Sequence, residues 1–366
     1  MATKEVNLQH VDDLIFISDV HFGARAASDE WMDNFVDYFD NFFIPLLRSE
    51  VSTGRTPIVV VAGDYFENRN NINIDVLNRG ITTIQKIVEV CPVYMMIGNH
   101  DIYKKDDLDI NSLVVFEHIK GVTVVKDKLV LRVKSDKTFQ LVSWIGDMKK
   151  VNKLIAKSKE NYDYIVLHTE INGMSYDNGR PITNGLNLSS FGDECRVLSG
   201  HIHKRQEGKN ALYFGSPYHY RINDAGNERG IYCFHIDGDT VNRVFKVNDY
   251  SPKMVVANFS DYGKNFNNWK DIINNNYVKI IFENDDKKIV DVNKFVNELR
   301  ERYEPRKLEW DCKPATIIRD DFNVRKDASI DDVFNENIEK MEISNEEKES
   351  LRKYNKKYLE IAKIDN

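Results

Sequence analysis

The sequence predicts an α/β protein with a mostly parallel sheet, followed by a small α+β domain and a pair of terminal helices. Two observations lead to this class. Short apolar runs alternate with longer segments of helical periodicity over the first hundred residues, which is the order that builds strand–helix–strand units. Polar residues of the kinds that bind metals follow directly after several of the predicted strands. The chain has 366 residues, more than one domain usually contains, so we expect more than one folded unit.

The first half of the chain provides the strands of the sheet and the helices beside it. Apolar runs at 14–17 and 57–61 predict buried strands, and the second run is apolar on both faces. Residues 29–48 and 74–89 carry apolar side chains at three- and four-residue spacing, which is typical of helices. Between 122 and 142, short strands joined by polar turns add antiparallel members. The same patterns predict the remaining elements: strands at 92–97, 164–167, 196–198, 211–214, 231–235 and 241–247, and a helix at 109–120.

A change of pattern near Asn248 indicates a second domain. Beyond it, the sequence predicts strands at 277–282, 306–310 and 315–319, with a helix near 291–303 between them. Few strands and one helix over so short a stretch indicate a small α+β unit.

Two helices are predicted from Ser329 to the end of the sequence. Ser344 is followed three residues later by Glu347, which is the spacing of a capping box, so we expect the second helix to begin there. We therefore divide the chain into three parts: residues 1–248, 249–327 and 328–366.

Composition limits the classes of protein to which the chain can belong. Hydrophobic residues make up 42% of the sequence, enough for a sizeable core, which excludes wholesale disorder. The 51 basic and 58 acidic residues give a net charge of −7, which argues against binding nucleic acid by bulk positive charge but allows a local basic groove. Four well-separated cysteines favour free thiols, and no apolar run is long enough to span a membrane. We therefore expect a soluble protein of the cytoplasm.

The strongest functional signal is the position of acids, histidines and one asparagine at the ends of predicted strands. Five loops carry them: Asp19-Val20-His21, Gly63-Asp64, Gly98-Asn99-His100-Asp101, His168, and Gly200-His201-Ile202-His203. The carboxyl ends of parallel strands share one edge of a sheet, where ligands bind. We therefore expect these loops to direct their side chains into one crevice. The alternative, a set of unrelated polar strand ends, requires five coincidences at the same place in the topology.

Carboxylate, amide and imidazole groups form a mixed oxygen and nitrogen ligand set, which suits Mn, Fe or Zn better than Ca. These loops offer more ligands than one ion can bind, but the set suits two ions that share a carboxylate. Two metal ions about 3.5–4 Å apart can clamp a phosphate and lower the pKa of a bound water toward about 7. The residues therefore predict a two-metal centre that acts on phosphate esters.

Several ordered motifs resemble those of the calcineurin-like metallophosphoesterases: Asp19-Val20-His21, the stretch 63–67, the stretch 98–101, the stretch 167–173 and the stretch 200–203. Within that family the sequence is similar to the SbcD-type nuclease subunit of the double-strand-break repair complex, in its phage form. The resemblance covers about residues 13–247, including the turn at 213–217. It implies a sandwich of mixed sheets flanked by helices, and exonuclease and endonuclease activity in DNA recombination and repair, in the host cytoplasm. The small domain would cap DNA.

The resemblance also implies a role for each motif residue. Seven side chains would hold two metal ions, with Asp64 shared: Asp19, His21, Asp64 and His203 for the first ion, and Asp64, Asn99, His168 and His201 for the second. His100 resembles the residue that stabilises the transition state or protonates the leaving 3′ oxygen, and Asp101 would orient its ring. Manganese is the expected metal, with magnesium as the alternative.

One stretch departs from the family pattern. Cellular members often carry a histidine shortly after the Gly-Asp pair, which contacts the scissile phosphate, whereas this chain has Glu67 and no histidine there. A carboxylate is unfavourable beside a phosphodiester unless it points away, and Arg69 or Asn68 could hold the phosphate instead. The basic residues considered for DNA contact are Arg69, Lys104, Lys204, Arg205 and Arg221, with an ordinary solvated rim as the equal alternative.

Two parts of the chain carry apolar faces that a partner could cover. In the terminal helices, apolar residues recur at three- and four-residue spacing: Phe334, Ile338, Met341, Leu351, Tyr354, Tyr358 and Ile361. The resemblance implies that this face binds an SbcC-like ATPase of the ABC/SMC type, with packing onto its own domain as the alternative. It also implies a homodimer through helices 74–89 and 109–120, for which simple core packing is the alternative.

The sequence therefore predicts a two-metal DNA phosphodiesterase that acts with an ATPase partner on duplex ends and hairpins. Two alternatives stay open: a small-molecule phosphoesterase for cyclic nucleotides or nucleotides, and a catalytically silent scaffold that binds DNA ends. The small domain and the amphipathic tail argue against the first, and the complete ligand set with His100 argues against the second. His219 and His235 lie outside the motifs, and we expect both to be structural.

Overall fold

A computed structural model describes residues 4–104, 107–158, 162–188, 196–283, 286–313, 330–341 and 343–362. The chain divides into two compact units, Met1–Lys313 and Pro314–Asn366. The first unit contains all the metal-binding motifs of the sequence. The predicted strand at 315–319 lies outside the described residues, as does Cys195.

The described strands are numbered in chain order: β1 (Lys4–Leu8), β2 (Asp13–Ile17), β3 (Pro57–Ala62), β4 (Val93–Met96), β5 (Ile102–Lys104), β6 (Asp107–Asn111), β7 (Val122–Val125), β8 (Lys128–Val133), β9 (Thr138–Val142), β10 (Tyr164–His168), β11 (Val197–Gly200), β12 (Gln206–Glu207), β13 (Ala211–Tyr213), β14 (Gly230–Asp237), β15 (Thr240–Val247), β16 (Met254–Asn258), β17 (Tyr277–Phe282) and β18 (Lys307–Cys312).

The described α-helices are α1 (Asp29–Tyr38), α2 (Ile44–Ser52), α3 (Ile74–Val88), α4 (Met148–Ser158), α5 (Phe259–Tyr262), α6 (Lys270–Ile273), α7 (Asp286–Ile289), α8 (Val292–Arg302), α9 (Ile330–Glu339) and α10 (Asn345–Ala362). A π-helical turn, Phe39–Phe43, joins α1 to α2, so the predicted helix at 29–48 is one continuous helical path with a local widening.

Two mixed sheets form the centre of the first unit. One has the order β15-β14-β2-β3-β4-β7, in which the strands from β2 to β7 run parallel and β14 pairs antiparallel on both sides. The other has the order β1-β8-β9-β10-β11-β13-β12, with a parallel centre from β9 to β13 and antiparallel pairs at β8–β9 and β12–β13. The predicted α/β class and its mixed sheets are confirmed.

The two sheets pack face to face over a shared apolar core. Leu14, Phe16 and Val60 of the first sheet lie in the same buried cluster as Leu141 and Val166 of the second. Phe16 also stacks on Phe214, which directly follows β13, with 4.9 Å between ring centroids. Because successive strand residues point to opposite faces, the alternate residues of β2 and β3 pack instead against α1, α2 and α3. Helix α4 covers the outer face of the second sheet. The result is a helix–sheet–sheet–helix sandwich.

A third, parallel sheet follows, with the order β16-β17-β18. It has its own core, in which Trp269, Ile280 and Leu299 are fully buried. Tyr277 fixes this sheet to α1: its ring stacks on Trp31 with 4.6 Å between centroids, and its hydroxyl donates to Glu30 Oε1 at 2.6 Å. The sheet therefore belongs to the compact unit that ends at Lys313.

The second unit contains α9 and α10. The capping box predicted at the start of α10 is present: Ser344 N–H donates to the Glu347 carboxylate at 2.9 Å, and Glu347 N–H donates to Ser344 Oγ at 3.3 Å. Ile338 is buried and Tyr354 is exposed, whereas the side chains of Tyr358 and Ile361 lie outside the description. Among the described residues, no helix is both long enough and apolar enough to cross a membrane.

The predicted helix at 109–120 is wrong. Its first residues belong to β6, which pairs with β5 in a small hairpin, and the rest form a short 3₁₀ turn at Ser112–Phe116. Asn111 and Ser112 bring the chain back to Asp101, whose carbonyl accepts the Ser112 N–H at 2.7 Å. The apolar spacing that resembled a helix instead comes from Leu113 and Phe116, which are buried on one side of the turn.

Candidate metal centre

The motif loops meet at one edge of the sandwich, as the sequence predicts. The loops after β2, β3 and β4 bring residues from one sheet, and the ends of β10 and β11 bring residues from the other. Their acid and histidine side chains form three groups, in each of which the potential ligand atoms lie within 4.8 Å of one another. We name two of these the first group (Asp19, His21 and His203) and the second group (Asp64, His168 and His201). The third consists of His21, Glu67 and His100 and shares His21 with the first group.

The first group is buried and compact. The Nε2 atoms of His21 and His203 lie 3.1 Å apart. Each of these nitrogens is also 4.0 Å from Asp19 Oδ1. Both imidazoles therefore present the same nitrogen to one carboxylate oxygen, an arrangement that suits a shared cation.

Asn99 places an amide oxygen beside the second group. His168 Nε2 lies 3.1 Å from Asp64 Oδ2 and 3.1 Å from Asn99 Oδ1. The same amide oxygen is 2.8 Å from His201 Nδ1. Two imidazole nitrogens, a carboxylate oxygen and an amide oxygen thus converge, which is the mixed donor set that Mn, Fe or Zn accepts.

Asp64 faces both groups with one oxygen. Its Oδ2 atom is 3.1 Å from His168 Nε2 and 3.8 Å from His21 Nε2. Its other oxygen, Oδ1, accepts the backbone N–H of His100 at 2.8 Å, which holds the carboxylate in place. Asp64 is therefore the residue best placed to bridge two cations.

Four residues of the centre have a left-handed backbone conformation, which residues other than glycine rarely adopt. The φ angles are +53° at Asp19, +51° at His21, +54° at Asp64 and +85° at His201. Such left-handed residues cost about 1–3 kcal/mol each and cluster at functional sites. Four of them at one sheet edge indicate that the fold holds these side chains for a ligand.

Glycines before the ligands allow the strand ends to approach closely. A Cβ on Gly98 would overlap both the carboxylate and the backbone nitrogen of Asp64, and a Cβ on Gly63 would overlap the ring of His168. A Cβ on Gly200 would overlap Ser18 Oγ. The glycine of each Gly-Asp, Gly-Asn and Gly-His pair is therefore required by contact with a neighbouring loop of the site.

Burial and mutual charge strongly perturb the ligands. Burial raises the pKa of Asp19. Burial also opposes ionisation of Asp64, but the imidazole of His168 outweighs this effect and holds the pKa of Asp64 well below its usual range. Burial lowers the pKa of His168, but the carboxylates of Asp64 and Asp19 more than compensate and raise it to about 9. Burial, reinforced by the neighbouring His21, holds the pKa of His203 well below its usual value. A divalent cation fits this crowded set of ionisable ligands.

Each imidazole of the two groups has a further partner. His168 Nδ1 donates to the Ala62 carbonyl at 2.8 Å, and His203 Nδ1 lies 2.8 Å from the Tyr220 hydroxyl. Carboxylates are the partners of the other two rings: Glu67 Oε2 is 2.6 Å from His21 Nδ1, and Glu170 Oε1 is 3.7 Å from His201 Nε2. Such partners fix the ring orientation of metal-binding histidines.

Sequence reasoning missed three of these partners. Glu67 and Glu170 lie inside the motifs, where a carboxylate near a ligand histidine could have indicated an orienting role. Tyr220 lies in a loop outside every motif, and no sequence signal identified it. Glu67, the residue at which the chain departs from the family pattern, directs its carboxylate at the ring of His21.

His100 and Asp101 do not interact as expected. The ring of His100 donates through Nδ1 to the Glu67 carbonyl at 2.7 Å. Asp101 is fully buried and accepts backbone N–H groups of Asp64, Tyr65 and Gly98 at 2.9–3.2 Å. Asp101 therefore ties the loop after β3 to the loop after β4, because its oxygens are occupied by backbone donors and not by the His100 ring.

The basic residues are placed very differently from one another. Arg221 lies at the rim of the first group, with Nη2 3.6 Å from Glu67 Oε1. Arg205 is instead held by Glu207, Glu228 and the Tyr232 hydroxyl, so its charge is largely balanced. The remaining candidates have these positions: Arg69 exposed in the loop after β3, Lys104 exposed at the end of β5, and Lys204 half-buried directly after His203.

His235 lies outside the two ligand groups and contacts a buried carboxylate. Its Nδ1 contacts the buried Asp13 at 2.6 Å, and Arg55 contacts the same carboxylate at 3.1 Å. Asp13 begins β2 and therefore lies at the opposite end of the strand from Asp19. The guanidinium of Arg55 supplies the positive charge that this carboxylate needs.

A pair of buried carboxylate and histidine groups around one shared aspartate defines a metal-dependent hydrolase centre of the phosphoesterase class. The calcineurin-like phosphoesterase family matches residues 13–205. This match covers more than half of the chain, from β2 to just beyond His203, and the chain belongs to that family. It is thus a hydrolase of the metallophosphoesterase class, whose members use divalent metals.

Two curated relatives and one solved structure are similar to the chain. Protein 244L of Invertebrate iridescent virus 6, provisionally named a phosphoesterase, is 26% identical over 215 residues, which are 56% of this chain and 69% of that protein. Exonuclease subunit 1 of Enterobacteria phage T4 is 22% identical over 227 residues, 60% of this chain and 64% of the subunit, just under two thirds of its length. The structure of a 5′-nucleotidase precursor from Thermus thermophilus is 12% identical, with a TM-score of 0.36 over 66% of this chain and 56% of that one.

The contact between Gly98 and Asp64 gives a direct test of the centre. Gly98→Ala forces a Cβ against the Asp64 carboxylate, so we expect its affinity for Mn²⁺ to fall by about tenfold or more. Gly208→Ala is the matched control, because its Cβ would meet nothing closer than 3.5 Å. The measurement is metal content after equilibration of the stripped protein with Mn²⁺. Full metal content in Gly98→Ala would contradict the assigned role of Asp64.

Proposed function

We propose that this protein is a two-metal DNA phosphodiesterase that cleaves DNA ends as an exonuclease and internal sites as an endonuclease. The observation that carries the proposal is the shared position of Asp64 between two buried ligand groups, with His100 beside them. The similarity to a phage protein named as an exonuclease subunit supports DNA as the substrate. Processing of DNA ends in recombination and repair follows from the same comparison.

The residues of the chain fit two divalent ions, manganese by donor type. Asp19, His21 and His203 would hold one ion, Asn99, His168 and His201 the other, with Asp64 contributing to both. When bound, such ions supply charge neutralisation of the phosphate and a water of lowered pKa.

His100 is placed to move a proton at the leaving oxygen. Its Nδ1 is committed as a donor to the Glu67 carbonyl. A carbonyl oxygen can only accept, so Nδ1 carries a proton and Nε2 remains for the substrate. In the charged imidazolium, Nε2 also carries a proton, which it can give to the departing 3′ oxygen as the bond to phosphorus breaks.

The first test is a DNA cleavage assay that depends on Mn²⁺ and on the side chain of His100. We expect the metal-stripped protein to cleave linear duplex and hairpin DNA when Mn²⁺ is restored. His100→Asn should lower the cleavage rate about 10²–10⁴-fold, because it removes the proton donor, while retaining two Mn²⁺ per chain. His118→Asn is the control, because His118 is exposed and lies outside the centre.

The same assay separates the alternatives. Hydrolysis of bis-p-nitrophenyl phosphate without DNA cleavage, even with an ATPase partner added, would identify a small-molecule phosphoesterase. Binding of DNA ends without cleavage in any divalent metal would identify a scaffold. Either result would overturn the proposal.

Arg221 is the basic residue best placed to bind the phosphate backbone. It is half-exposed at the rim of the first group and lies beside Glu67. We expect Arg221→Ala to weaken DNA binding and to reduce the slope of log K against log salt by about 1, because one phosphate contact is lost. Titrations at several salt concentrations measure this slope.

Arg205→Ala serves as the matched control for this measurement. Its guanidinium is already paired with Glu207 and Glu228. The salt slope of Arg205→Ala should therefore stay at the wild-type value. An unchanged slope in Arg221→Ala would remove Arg221 from the DNA contact.

We propose that the tail binds an SbcC-like ATPase and that the first unit forms a homodimer. Exposed apolar side chains support both proposals: Tyr354 in α10 is 60% exposed, and Ile74 at the start of α3 is 75% exposed. An exposed aromatic residue on an amphipathic helix is suited to a helix-in-groove contact.

The tail proposal is tested in the full chain. Tyr354→Glu should weaken binding of the ATPase about tenfold or more, because it places a charge in an apolar contact. Lys340→Glu, exposed after the end of α9, is the control. Equal binding by both variants and the wild type in sedimentation experiments would argue against the tail as the docking element.

A further inference from the structure

The loop between β13 and β14 contributes a side chain to the first group. Tyr220 is 1% exposed, and its hydroxyl lies 2.8 Å from His203 Nδ1. The same hydroxyl is 3.3 Å from His203 Nε2, and the two ring centroids lie 5.4 Å apart. Nε2 is the atom that faces His21 at 3.1 Å. Tyr220 therefore holds the His203 ring in the orientation that directs Nε2 into the first group.

A buried ion pair fixes the backbone that carries Tyr220. Asp224 accepts the backbone N–H groups of Tyr220 at 2.9 Å and Arg221 at 2.8 Å through Oδ2. Its other oxygen accepts from Arg229 Nη2 at 2.6 Å, and both side chains are almost completely buried. Because Asp224 binds two successive N–H groups and a guanidinium, this pair holds the backbone from which the Tyr220 side chain extends.

The same short segment also reaches the other histidine of the first group. Arg221, next to Tyr220, lies 3.6 Å from Glu67, and Glu67 contacts His21 Nδ1 at 2.6 Å. Both imidazoles of the first group thus have outer partners connected to residues 220–221. This segment lies beyond residues 13–205, the part of the chain that the family matches.

The second group relies on other partners. His168 is oriented by the Ala62 carbonyl, and His201 lies beside Glu170. The described contacts of these two rings do not involve Tyr220, Asp224 or Arg229. A change at Tyr220 should therefore reach one ligand group and not the other.

We propose that Tyr220, held by the Asp224–Arg229 ion pair, is a positioning residue for His203 that raises the metal affinity of the first group without contacting the histidines of the second. This inference rests on the proposed metal centre but not on the identity of the substrate. Outer partners of ligand histidines typically contribute 10–100-fold in metal affinity, so a change at Tyr220 should affect the first ion more than the second.

Asp177 is the competing partner for the same nitrogen. Its Oδ2 lies 3.7 Å from His203 Nδ1, while its Oδ1 accepts the Lys204 N–H at 2.9 Å. The longer distance and the backbone contact of Asp177 make Tyr220 the stronger candidate. The experiment therefore includes Asp177→Asn beside Tyr220→Phe.

The experiment measures Mn²⁺ affinity by calorimetry in two single-site backgrounds of the full chain. His201→Gln weakens the second group and reports on the first, whereas His203→Gln does the reverse. Tyr220→Phe should weaken Mn²⁺ binding about 10–100-fold in the His201→Gln background. It should change affinity less than about twofold in the His203→Gln background, because the ring that Tyr220 orients is then absent.

Two further variants keep the result interpretable. Tyr232→Phe is the matched control, because Tyr232 is buried and its hydroxyl donates to Glu207, away from both groups. Asp224→Asn should cause a smaller loss of Mn²⁺ affinity, in the first group only. If Tyr220→Phe does not fold, Asp224→Asn replaces it as the test.

The outcomes separate this inference from the proposed function. Equal weakening in both backgrounds, no weakening in either, or a loss caused by Asp177→Asn but not by Tyr220→Phe would each overturn the role of Tyr220. Failure of the wild type to bind two Mn²⁺ would instead overturn the metal centre itself.

Discussion

The Asp64 carboxylate lies between two buried histidine groups, and much of the local structure serves to keep it there. One oxygen faces both groups, while the other is fixed by the His100 backbone. Gly98 leaves the space that the carboxylate occupies. Asp101 accepts the Asp64 N–H and so ties the two loops on which the arrangement depends. The carboxylate, amide and imidazole groups that meet at Asp64 form a mixed oxygen and nitrogen donor set, which suits divalent cations.

The sandwich explains why residues distant in sequence meet at this point. The first sheet supplies Asp19, His21 and Asp64 from its parallel centre, and the second supplies His168 and His201 from its own parallel centre. Face-to-face packing aligns the carboxyl ends of both sheets at one edge. The apolar core between the sheets, with Phe16 against Phe214, therefore determines how close the ligands from one sheet come to those from the other within each group.

The sequence predicts the buried strands and the loops after them well, because a short apolar run indicates burial of that same segment. Strands β2, β3 and β17 follow from their apolar runs, and the motif residues follow from their places after strands. The prediction of a helix at 109–120 is wrong, because apolar residues spaced three apart also fit the end of a hairpin followed by a 3₁₀ turn. The roles of Asp101 and Tyr220 could not be predicted, because they depend on contacts between loops far apart in sequence. The DNA and ATPase contacts remain predictions.

The central claim is that Asp64 joins two metal ions in one centre. Electron paramagnetic resonance of the stripped protein, titrated with Mn²⁺, tests this most directly, because ions about 3.5–4 Å apart and bridged by a carboxylate couple magnetically. The account predicts that a spin-coupled signal grows as the second equivalent binds and that Asp64→Asn abolishes it. Two equivalents that give only isolated-ion spectra, or a wild type that binds a single ion, would contradict it.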